Sequence, residues 1–275
     1  MKICVTMWSL QKAFYQNKID VFDFIGLAEK WRVDAIELLD FFFKNEGEIE
    51  ETIRILDEKK LPVAAYSIEN DFVVRFPEEL GSQIAYVKES IDTAVRLKSP
   101  MLRILGGYAK HDIPYEMAME SILKGLKACI PYAEEKGVIL VLENQGVYTG
   151  TSVKIRDIMK KTRSSFLRAN LDTGNFLLEL ENPESAAINL RDFISYVHFK
   201  DLKKLNEPDG DYTVSASDFT LYRPVAAGEG DIDLDRIVKT LADTGYSGYI
   251  SVEYEGLGDG VRETEKSINY LKALL

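Results

Sequence analysis

Four short apolar runs, at 138–143, 167–172, 195–201 and 249–253, close on residues that bind metals or move protons. They deliver Glu143, Asp172, His198 and Glu253. An unpaired carboxylate at the end of a buried run is costly, so a metal or a strong partner is required there. Three carboxylates and one imidazole converging from four strand ends read as the ligand set of one divalent ion. A divalent cation that chelates a carbonyl and a neighbouring hydroxyl acidifies the C–H between them and stabilises an enediolate. One carboxylate can then remove the proton while another returns it.

Side chains alternate across a strand, so Lys200 shares the face of His198. It is a candidate for a substrate oxygen or for pairing with Asp201. Arg103, within the run 101–106, points toward substrate or forms a structural ion pair. Glu37 ends a second apolar run and is expected at the mouth, either touching substrate or supporting a ligand, and Trp8 and Tyr108 end others. The two aromatics are candidates to line a substrate pocket, with core packing as the plainer reading. His111 reads as a surface histidine.

The elements that must position these groups repeat as one unit, an apolar strand, a polar loop and an amphipathic helix. Strands are expected at 2–7, 35–39, 62–67, 101–106, 138–143, 168–172, 195–200 and 249–253. Helical patterns such as 20–31 and 82–98 lie between them. Eight such units predict a single (β/α)8 barrel over 1–275, a TIM barrel whose active site lies at the C-terminal strand ends. An open doubly wound sheet fits less well, because residues 8–12 after the first strand contain no glycine. Glu143, Asp172 and His198 are each about one unit apart, but His198 and Glu253 are about two. The surplus, at about 202–227, is polar and includes Arg223, and we expect a lid over the substrate.

At 275 residues, 46% hydrophobic and 29% charged, the composition is that of an ordinary globular protein. A net charge of -11 argues against nucleic acid as a partner. No apolar run reaches the roughly 20 residues of a membrane helix. Residues 1–7 read as a core strand rather than a signal peptide, so the expected location is cytoplasmic. Cys4 and Cys129 are expected as buried free thiols.

The motifs Leu142-Glu-Asn-Gln-Gly146, Leu171-Asp-Thr-Gly-Asn175, Val197-His-Phe-Lys-Asp201, Gly228-Glu-Gly-Asp231 and 245–253 occur in order at barrel spacing. In them the chain resembles the xylose isomerase-like TIM-barrel superfamily, in its sugar phosphate isomerase/epimerase branch. The resemblance implies that Glu143, Asp172, His198 and Glu253 hold Mn²⁺, Mg²⁺ or Co²⁺, and that Glu143 and Glu253 form the acid/base pair. Oxygen donors with one imidazole favour Mn²⁺, with Mg²⁺, Co²⁺ and Zn²⁺ as alternatives. Family habit adds homo-oligomerisation as an expectation. The chain departs from many relatives at Asn175 and Gln145, where others carry histidine. These amides bind a sugar hydroxyl but do not shuttle protons near neutral pH. The endonuclease IV type, a relative with a histidine-rich trinuclear zinc site, is excluded because only His111 and His198 are present.

Two motifs mislead. Asp231–Asp235 imitates a calcium loop but has Arg236 where the turn glycine belongs, and reads as a helix start. The run Gly256-Leu-Gly-Asp-Gly260 sits where barrels bind phosphate, yet Glu255 and Asp259 flank it, which predicts a non-phosphorylated sugar. The expected function is a divalent-metal-dependent isomerase or epimerase of a ketose or keto-sugar derivative, acting through an enediolate. The first alternative is a lyase or dehydratase of a keto-sugar or keto-inositol. The second is a non-catalytic sugar-binding barrel.

Overall fold

The computed structural model describes residues 1–208 and 212–275. Eight parallel strands close into a barrel: β1 (Lys2–Thr6), β2 (Ala35–Leu39), β3 (Val63–Ser67), β4 (Met101–Ile104), β5 (Ile139–Glu143), β6 (Leu167–Asp172), β7 (Ile194–Phe199) and β11 (Tyr249–Val252). The remaining three, β8 (Asp201–Leu205), β9 (Val214–Ser215) and β10 (Leu221–Val225), form a separate antiparallel sheet in the order β8-β10-β9. β1 pairs with both β2 and β11, which closes the barrel between the two ends of the chain. The fold is the predicted single (β/α)8 barrel, with strand limits within two residues of those expected.

Several helices between the strands begin where short polar side chains satisfy the first backbone N–H groups. Asp20 and Asp23 form a capping box ahead of the helix Val21–Trp31. Asp233 caps Leu234–Asp243, so Asp231–Asp235 does start a helix. Gly137 and Gly245 take positive φ just beyond helix ends, as their positions in the sequence require.

Period-two alternation builds the barrel interior in layers. Cys4, Ala35, Ala65, Met101, Val141 and Tyr196 form one buried apolar cluster inside it. Two residues further along the same strands stand Thr6, Glu37, Ser67, Arg103, Glu143 and His198, and the same step on β6 and β11 reaches Asp172 and Glu253. A polar layer thus crowns a mainly apolar one, to which β6 and β11 contribute Asn170 and Ser251. Register shifts at Ile36/Glu37 and Ala169/Asn170 adjust the pairing just below two of these crown positions.

The segment 202–227, read from sequence as a polar loop, carries this small sheet. Its residues pair over long range, Leu205 with Leu221 and Asp201 with Val225. Pro224 is tolerated because β9 pairs only with Leu221 and Tyr222, leaving that side of β10 open. Residues 209–211 of the expected lid lie outside the described residues. Among the described residues no helix is long and apolar enough to cross a membrane.

Candidate active site

The geometry is best followed from His198, which is fully buried at the end of β7. Its Nε2 is 3.1 Å from both oxygens of Glu37, and the carboxylate as acceptor makes Nε2 the donor. Glu37 is itself fixed by hydroxyls: Ser67 donates at 2.5 Å, and Tyr196 and Ser251 at 2.9 Å each. The ring is therefore locked with Nδ1 turned toward the carboxylates, 3.7 Å from Glu143 and 3.5 Å from Glu253. A carboxylate that orients a ligating imidazole in this way also strengthens it as a donor to a metal.

Asp172 divides its two oxygens between tasks. Oδ1 accepts from the backbone N–H groups of Gly174 and Asn175 at 2.7 and 2.8 Å, capping the turn that follows β6. Oδ2 faces the cluster, 3.0 Å from Lys200 Nζ. The backbone of Asp172 is held by Asn144, whose amide donates to the Asp172 carbonyl at 3.0 Å and accepts from its N–H at 2.7 Å. Glu143 lies 3.2 Å from Arg103 Nε and accepts from the Asn175 amide at 3.2 Å. Arg103 is anchored in turn by donating to the Ile68 carbonyl.

Lys200 is the hub of the opposite side. Its Nζ stands 3.0 Å from Asp172, 2.9 Å from Glu253 and 3.0 Å from Glu255, and donates to Asn175 at 3.3 Å. Its stem lies over Gly174, where a Cβ would come within 2.8 Å of Lys200 Cδ. Glycine is needed there for close approach.

Electrostatics show what the cluster lacks. Five carboxylates, Glu37, Glu143, Asp172, Glu253 and Glu255, face two permanent cations, Arg103 and Lys200, and the titratable His198. Burial raises the Asp172 carboxyl to about 7, against the pull of Lys200 and with repulsion from Glu253 and Glu143 adding to it. Burial also works against the charge on Glu143, but Arg103 and then His198 outweigh it and hold that carboxyl down to about 2. Against its own burial, the His198 imidazole is driven well above its ordinary range by Glu37, Glu253 and Glu143. Lys200 is likewise held well above its ordinary value by Asp172 and Glu253.

Candidate ligand atoms of Glu143, Asp172, His198 and Glu253 all lie within 4.8 Å of one another. His198 Nδ1, Asp172 Oδ2 and Glu253 Oε2 are buried and make no hydrogen bond. Lys200 is close to both oxygens but not in hydrogen-bonding alignment. Orphaned donor atoms of this kind, in a cluster with excess negative charge, fit a divalent cation.

A cavity of about 370 Å³ opens above the cluster, lined by Trp8, Arg103, Glu143, Asn175, Lys200 and Glu253 among others. Tyr212 and the stretch 214–217 from the small sheet border it, and the Ser217 N–H donates to the Leu178 carbonyl at 2.8 Å. Of the six expected substrate contacts, Trp8, Arg103, Asn175 and Lys200 line this cavity. Glu37 does not, because it lies behind the imidazole. Arg223 does not either, because antiparallel pairing with Lys203 places it beside a separate cavity with Tyr212, Glu229 and Tyr254. Lys200 pairs with Asp172, Glu253 and Glu255, while Asp201 accepts from the backbone of Gly228 and Gly230. The His111 side chain is 95% exposed.

Sequence reasoning missed Glu255, Glu69 and Asn144. Glu69 and Glu255 line the cavity, and Asn144 clamps Asp172. It also missed the hydroxyls behind Glu37. Two of those were within reach, since Tyr196 and Ser251 stand two residues before His198 and Glu253 on the same strand faces.

Residues 25–274 match the family model described as xylose isomerase-like TIM barrel. Over 143 residues the chain is 28% identical to an inosose dehydratase of Clostridium perfringens, covering 51% of this chain and 48% of that protein. The chain thus spans about half the length of such curated relatives. Among solved structures, an IolI protein with a bound zinc atom superposes with a TM-score of 0.79 at 18% identity, covering 100% of this chain and 98% of that one. D-psicose 3-epimerase from Clostridium cellulolyticum H10 gives 0.79 at 15% identity, covering 100% and 99%. At such identities these two structures speak to the fold alone.

Proposed function

From the premise that the chain belongs to the xylose isomerase-like TIM-barrel family, we propose that it is a divalent-metal-dependent dehydratase of a cyclic keto-polyol of the keto-inositol class. This places the lyase alternative ahead of the isomerase/epimerase expectation. The inosose dehydratases among its relatives favour that order.

The observation that carries the reading is the 2.9 Å contact between Lys200 Nζ and Glu253 Oε2. Elimination of water from a hydroxyketone needs a base for the proton next to the carbonyl and an acid for the departing hydroxyl. In our reading Glu253 takes the proton, its C–H electrons form the new C=C bond, and the C–O bond breaks as Lys200 delivers a proton to the oxygen. Once the 2.9 Å pair turns into hydrogen-bonding alignment, the proton on Glu253 returns to Lys200, so the pair is reset and water is the only by-product.

Glu143, Asp172, His198 and Glu253 would hold the ion, which supplies Lewis-acid polarisation of the ketone and so acidifies the neighbouring C–H. Mn²⁺ is the ion we expect, with Zn²⁺ its main competitor, given the zinc in the IolI structure. Arg103 and His198 keep Glu143 ionised, which suits a ligand better than a proton donor. Asn175 and Trp8 orient the polyol, and the stretch 214–217 shields the cavity from water.

The second reading is epimerisation, favoured by Glu143 and Glu253 both lining one cavity from different strands. Metal analysis followed by mass spectrometry of products formed in D₂O separates the two. Keto-inositols that lose one water support the dehydratase. Ketoses that gain solvent deuterium at unchanged mass would replace it with the epimerase.

A further inference from the structure

Glu255 lies just beyond β11, two residues after Glu253, with its side chain 19% exposed. Each of its oxygens serves a different partner. The Trp8 indole N–H donates to Oε1 at 2.7 Å, and Lys200 Nζ stands 3.0 Å from Oε2. Those partners belong to different parts of the barrel, Trp8 following β1 and Lys200 following β7. One carboxylate therefore ties three strand ends together at the cavity wall.

The two partners need such a tie for different reasons. Trp8 is only partly buried, lines the cavity, and meets Phe41 edge-on with centroids 5.8 Å apart. Its N–H bond sets which way the ring face turns. Lys200 is attracted at once by Asp172, Glu253 and Glu255, so the balance among the three fixes where its ammonium rests. Without Glu255 the remaining pull comes from Asp172 and Glu253, deeper in the site.

We propose that Glu255 is a positioning residue that sets specificity. It holds the Trp8 indole as the wall against which the apolar C–H face of a cyclic polyol stacks, and holds the Lys200 ammonium at the cavity edge. The substrate half of this inference rests on the dehydratase reading, while the structural half does not.

The test uses the full chain in a Trp31→Phe background, where Trp8 is the only indole. Glu255→Leu is expected to red-shift Trp8 emission and raise its quenching by acrylamide. Glu255→Gln can still accept from the indole and is expected to keep both signals. With a keto-inositol as substrate, Glu255→Gln lowers kcat by about tenfold or more at nearly constant KM, the usual scale for a supporting residue. Glu255→Leu raises KM as well. The emission readings need no turnover, so they decide the role of Glu255 even if the dehydratase reading fails. Unchanged emission and quenching in Glu255→Leu overturn the proposal, and so does wild-type kcat in a Glu255→Gln enzyme that turns over keto-inositol. If Glu255→Leu does not fold, Trp8→Phe replaces it, keeping a ring but losing the N–H. Its KM for the keto-inositol is expected to rise, and an unchanged KM would overturn the proposal.

Discussion

Two adjacent layers of the barrel interior, separated by two residues along each strand, obey opposite rules. The crown holds Glu37, Arg103, Glu143, Asp172, His198 and Glu253, all buried and charged or chargeable. The layer beneath holds Cys4, Ala35, Ala65, Met101, Val141 and Tyr196, an apolar cluster, with only Asn170 and Ser251 adding polar groups on β6 and β11. The lower layer gains free energy from burial and tight packing. The crown gives some of that up, since charges held away from water and crowded with like charges are expensive. The barrel thus separates stability from chemistry by two residues along each strand.

Substitutions should break the two layers differently. The largest effect is expected at the crown. Glu253→Gln and His198→Ala should each abolish stoichiometric metal binding and lower turnover on the order of 10³-fold, with circular dichroism unchanged. Elemental analysis beside a rate assay checks this, and retained metal in both variants would sink the site. Arg103→Leu comes next. It leaves Glu143 buried beside a lost partner and should cost about 3 kcal/mol in denaturant unfolding, typical of a broken buried pair. In the layer below, Val141→Ala should cost about 2 kcal/mol by opening a cavity, yet leave metal stoichiometry intact. If that variant loses its metal, the two layers are not separable in the way described.

The smallest effect concerns the thiols. Burial and the nearby Glu37 push Cys4 far above the ordinary thiol range, and burial pushes Cys129 up to about 12. Neither should react with a thiol reagent at pH 8 in the native protein, and both should react after denaturation. Rapid labelling of native Cys4 would mean that the lower layer opens.

The layering was legible in the sequence where it depended on local alternation. Each proposed ligand ends an apolar run, so period and position together pointed to the strand ends before any geometry was known. The small sheet escaped because its pairing depends on contacts such as Leu205 with Leu221, and its segments alone look like a polar loop. Arg223 was misplaced for the same reason, since its position follows from antiparallel pairing rather than from spacing. Glu37 showed as a residue at the mouth, but its place behind His198 depends on three hydroxyls from other strands. Glu255 showed only as a charge beside a glycine-rich turn, because its partners Trp8 and Lys200 are far away in the chain.

Barrel closure has a consequence for the order in which the site comes into being. Glu253 arrives with the last barrel strand, and that strand is held between β7 and the first one. A chain emerging from the ribosome exposes Glu143, Asp172 and His198 in sequence, but the fourth donor joins them only when the two ends of the sheet meet. Chains lacking that last strand would therefore remain chemically silent, and capture of an ion at the proposed site would report that the barrel has closed.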